Sequence, residues 1–123
     1  MKLAPLVMLG VSVLAIAVPS IAEEKFHRMR AAEIRSTLVG KVVTDESHWA
    51  DQFLADGAMG GHQLGQAQTG SWKLSKDGEI CMVTKIKTKK PESNCFEIWL
   101  REDQVEYRRD GVTVSEAWLR PLP

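Results

Sequence analysis

The sequence predicts a mainly β domain: an antiparallel meander of roughly six to eight strands, closed into a small barrel or bent into a strongly curved sheet, with one N-terminal helix. Three observations predict it. Asp56-Gly57, Asp77-Gly78 and Asp110-Gly111 are turn signals of the Asp-Gly type. Short runs rich in Val, Ile, Thr and Trp lie between them. Only one stretch keeps a helical period, so crossover helices that would join parallel strands are missing from the pattern.

The elements follow in order. Residues 29–39 read as a short helix, with Met29, Ile34, Leu38 and Ala31 on one stripe and Gly40 as the stop. Lys41-Val42-Val43-Thr44 is a short strand, and 49–54 fits either helix or strand. Residues 57–71 hold Gly57, Gly60, Gly61, Gly65 and Gly70, a composition that suits a weak strand, a flexible loop or a bulged edge. Ser71-Trp72-Lys73-Leu74 alternates as a strand. Residues 79–86 form a strong strand, 87–94 a hairpin loop with Pro91, and 94–101 the returning strand. Residues 104–108 and 112–119 make the last hairpin.

The first 22 residues read as a signal peptide outside the fold, leaving one β-rich domain over residues 23–123. Lys2 is the positive start, residues 3–18 are the apolar stretch, and Ser20-Ile21-Ala22 supplies small residues for cleavage. An apolar run of about 16 residues falls short of the roughly 20 that span a bilayer. Removing residues 1–22 takes away Lys2 and no acid, so 15 basic and 16 acidic side chains remain from the 16 of each in the full chain. That balance excludes a strongly basic nucleic-acid binder. The expected location is periplasmic or secreted.

Cys81 and Cys95 are the two cysteines, and export brings them to an oxidising compartment, where they are expected to form a disulfide. A bridge closing about 15 residues is worth roughly 3 kcal/mol. Setting Cys81 opposite Cys95 puts Ile80 across from Phe96 and leaves Met82 and Ile98 on the same face, a credible core. It also sets Glu79 against Glu97, an unfavourable pair that would call for a bulge or a shifted register.

The stretch Gly70-x-Trp72-x-Leu74, Ile80-Cys81 and Asn94-Cys95-Phe96-x-Ile98 resembles a loose family of small exported bacterial proteins of unknown function. Ala32, Ile34, Leu38, Gly40, Trp49 and Asp56-Gly57 fit the same pattern, so the likeness covers about residues 30–119. The resemblance implies fold and compartment, and no catalytic residue. The Lys-rich hairpin departs from it.

Chemistry-bearing constellations are sparse. His27, His48 and His62 stand on separate segments without metal-ligand spacing, and two cysteines committed to each other leave no zinc set. There is no G-x-S-x-G elbow, no paired carboxylates and no phosphate loop. No catalytic residue, metal or cofactor is therefore expected. The unusual features are Lys85, Lys87, Lys89 and Lys90 around one hairpin tip, and four tryptophans, Trp49, Trp72, Trp99 and Trp118. The lysines suit an acidic protein surface or an anionic glycan, and equally the protection of a strand edge. The tryptophans suit core packing, with Trp99 opposite in face to Phe96 and Ile98 and so free to be exposed or to line a pocket. Lys85, Lys87, Lys89, Lys90 and Trp99 are the expected binding surface.

The expected function is an exported, non-enzymatic binding or interaction module of the cell envelope, its partner an envelope or secreted protein. One rival is an inhibitor of a periplasmic or secreted hydrolase, which needs a rigid projection; segments 23–30 and 87–94 are the candidates. Another is a small-ligand carrier, which needs an interior cavity, and four tryptophans argue against spare volume.

Overall fold

The computed structural model describes residues 2–6, 8–15 and 25–123. Residues 2–6 and 8–15 form neither helix nor strand, and Leu3, Leu6, Leu9 and Leu14 stand exposed, adding nothing to the core. The expected cleavage site at Ser20-Ile21-Ala22 lies outside the described residues.

The elements are β1 (His27–Arg28), α1 (Ala31–Leu38), β2 (Lys41–Thr44), β3 (Trp49–Phe53), β4 (Ala58–Gln63), β5 (Gln66–Ala67), β6 (Thr69–Leu74), β7 (Ile80–Lys85), β8 (Glu92–Arg101), β9 (Gln104–Arg109) and β10 (Val112–Pro121). β2, β3, β4, β6, β7, β8, β9 and β10 pair antiparallel in that order, and β10 returns to pair with β2. The result is a closed eight-stranded barrel. Two short strands are added outside it, β1 on β8 and β5 on β4. Closure removes the unpaired edges that an open sheet of these strands would expose.

Turn chemistry sets the meander. Asp110 and Gly111 both take positive φ, 53° and 77°, and so make the two-residue turn whose twist matches the strands it joins. The central hairpin has the expected register, with Ile80 opposite Phe96 and the bonded Cys81 opposite Cys95. No shift is needed for Glu97. β7 starts only at Ile80, and Glu97 instead pairs with Arg108 of β9 and accepts from the Trp99 indole (3.0 Å) and the Gly111 N–H (3.1 Å).

Alternate residues point inward. Val43, Phe53, Ile80, Ile98 and Val105 fill one half of the barrel and are fully buried. α1 closes that end with Ile34 and Leu38, and the Gly40 N–H donates to the Phe53 carbonyl at 2.8 Å. Lys73, Glu97, Glu106 and Arg108 occupy outward positions of β6, β8 and β9, whereas a lipid-spanning barrel carries an apolar band outside. Among the described residues, no helix is long and apolar enough to cross a membrane.

Three expectations need correction, and one open reading is decided. The helix is shorter than 29–39. Met29 is drawn off by its N–H bond to the Ile98 carbonyl (2.8 Å), and Val39 turns extended. The Gly-rich segment takes the strand alternative: it is barrel wall over β4 and β6, not a loop. At Gly61 and Gly70 an added Cβ would overlap the carbonyl oxygens of Ala50 and Val83, so these strands approach their neighbours only because the side chain is absent. β8 starts at Glu92, two residues before the expected 94, because Glu92 and Ser93 pair with Thr84 and Val83. Finally, of the four tryptophans only Trp72 belongs to the buried core; Trp49, Trp99 and Trp118 are half-buried.

Candidate functional site

The helix plugs one end of the barrel. The other end carries the β2–β3 loop, the β4–β5 turn, the β7–β8 loop and the β9–β10 turn, and it is open. A cavity of about 230 Å³ enters there between the strands. Its walls are apolar in part: Met82, Trp49, Phe96 and Tyr107 line it. The rings of Trp49 and Tyr107 lie 5.6 Å apart and those of Phe96 and Tyr107 stack at 5.2 Å.

The floor is polar. Asp51 lies between the inward-facing Trp49 and Phe53 on β3, and is only 8% exposed. One of its carboxylate oxygens accepts from the Gln68 amide (2.9 Å), the other from the Tyr107 hydroxyl (2.8 Å). Gln68 in turn donates to the Gly60 carbonyl (3.2 Å) and accepts from the Gln63 amide (2.9 Å). Because Asp51 and Gly60 both present acceptors, the Gln68 amide nitrogen must face them, which fixes its orientation. Burial pushes the Asp51 carboxyl above its ordinary value, against the pull of Gln68 and Tyr107. Burial, with the carboxylate beside it, pushes the Tyr107 hydroxyl well above its own. Glu92, Asn94, Thr84 and Ser115 complete the lining nearer the mouth.

The rim is mixed. Asp45 is committed within its own loop. Burial acts to raise its carboxyl, but the N–H groups of His48, Ser47 and Trp49 outweigh this and hold it well below the usual range. Glu46 pairs with Arg120. On the opposite side, the β7–β8 loop carries the lysine cluster.

The expected binding residues divide. The Lys85 ammonium folds back onto the carbonyls of Ile86 (2.8 Å) and Lys89, so it braces its own loop. Thr88 ties the same loop to Gln66 at 2.9 Å. Lys87, Lys89 and Lys90 are exposed, and among the described residues none forms an ion pair. Trp99 is not part of that surface. It pairs with Arg28 and Glu106, seven residues along β8 from Glu92, or roughly 23 Å at strand rise. There its ring lies under the Arg108 guanidinium at 4.1 Å. Arg108 and Arg101 also cover Phe26, so Trp99 belongs to an outer-face stack that straps the N-terminal segment down. The Glu106 carboxyl there is held low: burial opposes this, and Arg108 and Thr113 prevail.

Sequence reasoning missed the floor. Trp49, Asp51 and Phe53 alternate onto one strand face, and an acid between two inward aromatics was the available signal of a buried carboxylate. Among the described residues no His, Cys, Asp and Glu cluster could hold a metal ion. No family model, curated protein or solved structure matches this chain.

Proposed function

We propose that this protein is an exported, non-enzymatic binding module that takes a small polar ligand in the open end of its barrel. One observation carries the reading: the cavity of about 230 Å³ has a pre-built floor, in which Gln63, Gln68, Asp51 and Tyr107 already hold one another in place. Small-ligand sites combine apolar walls with a few oriented polar groups in this way. The polar floor and filled lower barrel favour a polar ligand over an apolar cargo.

The compartment belongs to the same proposal. The Cys81–Cys95 bridge is the product of an oxidising environment, and the 22-residue leader supplies the route to a periplasmic or secreted location. The resemblance of the G-x-W and paired-cysteine strands to a family of small exported bacterial proteins supports the same compartment. The hydrolase-inhibitor reading keeps one support, the β7–β8 loop that Lys85 and Thr88 brace into a stiff projection. The N-terminal segment supports it less, because β1 is paired to β8.

The test is ligand-observed NMR on the exported, disulfide-bonded protein against mixed small amines, amino acids, sugars and organic acids. Thr84→Trp, which fills the mouth, is the control. Saturable binding that Thr84→Trp abolishes is the expected result. Absence of binding, or binding that survives the plug, contradicts the reading.

A further inference from the structure

Hydrogen-bond bookkeeping in the cavity narrows the ligand. Gln68 has spent its donors on Asp51 and Gly60, and Gln63 has spent one on Gln68. Each Asp51 oxygen has accepted one bond and retains a further lone pair. Asn94 already takes the Arg109 guanidinium on its carbonyl oxygen at 3.4 Å. The Glu92 carboxylate, exposed at the mouth, offers acceptors and no donor. The second Gln63 N–H, the Asn94 amide and the Thr84 and Ser115 hydroxyls can still donate to neutral ligand oxygens, but the charged groups of the lining, Asp51 and Glu92, are acceptors that call for a cationic donor on the ligand. The formal charge agrees. The lining holds two carboxylates, Asp51 and Glu92, and no Lys, Arg or His; the nearest cation with a contact to it is Arg109, over the Phe96 ring at 4.9 Å and on Asn94.

The rim above Glu92 has the opposite sign. Lys87, Lys89 and Lys90 are exposed on the loop that joins Thr84 to Glu92, two residues of the lining. The Lys85 brace and the Thr88–Gln66 bonds keep that loop beside the mouth. Around the barrel, Asp45 and Glu46 of the β2–β3 loop are occupied by their own partners; the β9–β10 turn adds one exposed acid, Asp110, next to Arg109, so cations outnumber unpartnered acids at the rim.

We propose that the mouth binds a small zwitterion: its ammonium group on Asp51 and Glu92, its anionic end toward Lys87, Lys89 and Lys90. This rests on the mouth being the binding site. An acidic floor alone would take any cation, and a basic rim alone any anion. The two together select a ligand that carries both charges a few ångströms apart.

The experiment uses four probes of similar size on the exported, disulfide-bonded protein: γ-aminobutyrate, n-butylamine, butyrate and glucose. NMR titration follows the Trp49 indole and the Gln63 and Gln68 side-chain amides. γ-Aminobutyrate should bind saturably, and n-butylamine roughly five-fold more weakly, as the loss of a few partly exposed charge contacts implies. Butyrate and glucose should leave these signals unmoved. Changing Lys87, Lys89 and Lys90 to Ser should abolish the preference for γ-aminobutyrate over n-butylamine, weakening γ-aminobutyrate without weakening n-butylamine. Asp51→Asn should weaken both amines about ten-fold or more. Glu92→Gln, at an exposed position that cannot threaten the fold, should weaken both as well. Equal affinity for n-butylamine and γ-aminobutyrate, or binding of butyrate or glucose alone, overturns the zwitterion proposal and leaves the mouth as the binding site. No shift with any of the four probes overturns both.

Discussion

Tyr107→Phe removes one oxygen from the centre of the barrel floor. The deleted hydroxyl donates to Asp51 at 2.8 Å, in a site where Asp51 and Tyr107 are 8% and 4% exposed. The ring, with its packing on Phe96 and Trp49, is kept. What is lost is a hydrogen bond to a buried charge, worth about 1.5–3 kcal/mol. For a domain of this size that lowers the melting temperature by roughly 6–20 °C. The loss depends on pH, and its sign is fixed. The Asp51 carboxyl already lies above its ordinary value because burial disfavours its charge. Without the Tyr107 donor it rises further. The full penalty therefore applies at pH values above the folded value, and it shrinks as pH falls through that value and Asp51 takes a proton. A neutral pair at this position is worth only about 0.5–1.5 kcal/mol. Urea unfolding of both proteins at neutral pH and near pH 3 measures the two differences directly. A penalty below about 0.5 kcal/mol at neutral pH, or one that grows on acidification, would refute the idea that Tyr107 holds a buried carboxylate.

Replacing Cys81 and Cys95 together by Ala should cost about 3 kcal/mol in urea unfolding, for a bridge with a sequence separation of 14; equal stability of oxidised wild type and variant would contradict this. Gly61→Ala and Gly70→Ala should each cost about 3 kcal/mol or more, since the new Cβ meets backbone and Gly61 has a φ of 112°. Circular dichroism melts that fall within about 4 °C of wild type would contradict the close approach. Glu97→Gln should cost about 1.5–3 kcal/mol at neutral pH, where the Trp99 indole, the Gly111 N–H and Arg28 all serve the charge. Because these partners lower the folded value, that stability is present above the ordinary glutamate range and is lost as pH falls through the folded value. An unfolding difference that persists undiminished near pH 2 would contradict it.

The parts of the fold that were legible are those written locally. Asp110-Gly111 announces its turn because few other pairs accept positive φ twice. Cys81 and Cys95 pin the central register, since only one alignment faces them across a hairpin. The Gly-rich wall was legible only as one of several alternatives, because sequence patterns reward bulky β-branched residues. Here Gly61 and Gly70 serve the barrel by leaving room, which no local pattern records. Asp51, Gln68 and Tyr107 lie 17 and 56 residues apart in hydrogen-bonded pairs, and only closure of β10 on β2 completes the barrel that holds them. The lysine cluster was visible as a cluster, but Lys85 left it because its ammonium found carbonyls on its own loop. Trp99 misled because an outward tryptophan suggests a free surface, while Arg108 already covers it.

The most direct measurement is a crystal structure of the disulfide-bonded protein grown with γ-aminobutyrate. The expected result is ligand density in the open end of the barrel, its nitrogen within hydrogen-bond distance of Asp51 and its carboxylate on the side of Lys87, Lys89 and Lys90. Density on the outer face beside Phe26 and Trp118, with the mouth holding solvent alone, would contradict the placement of the site.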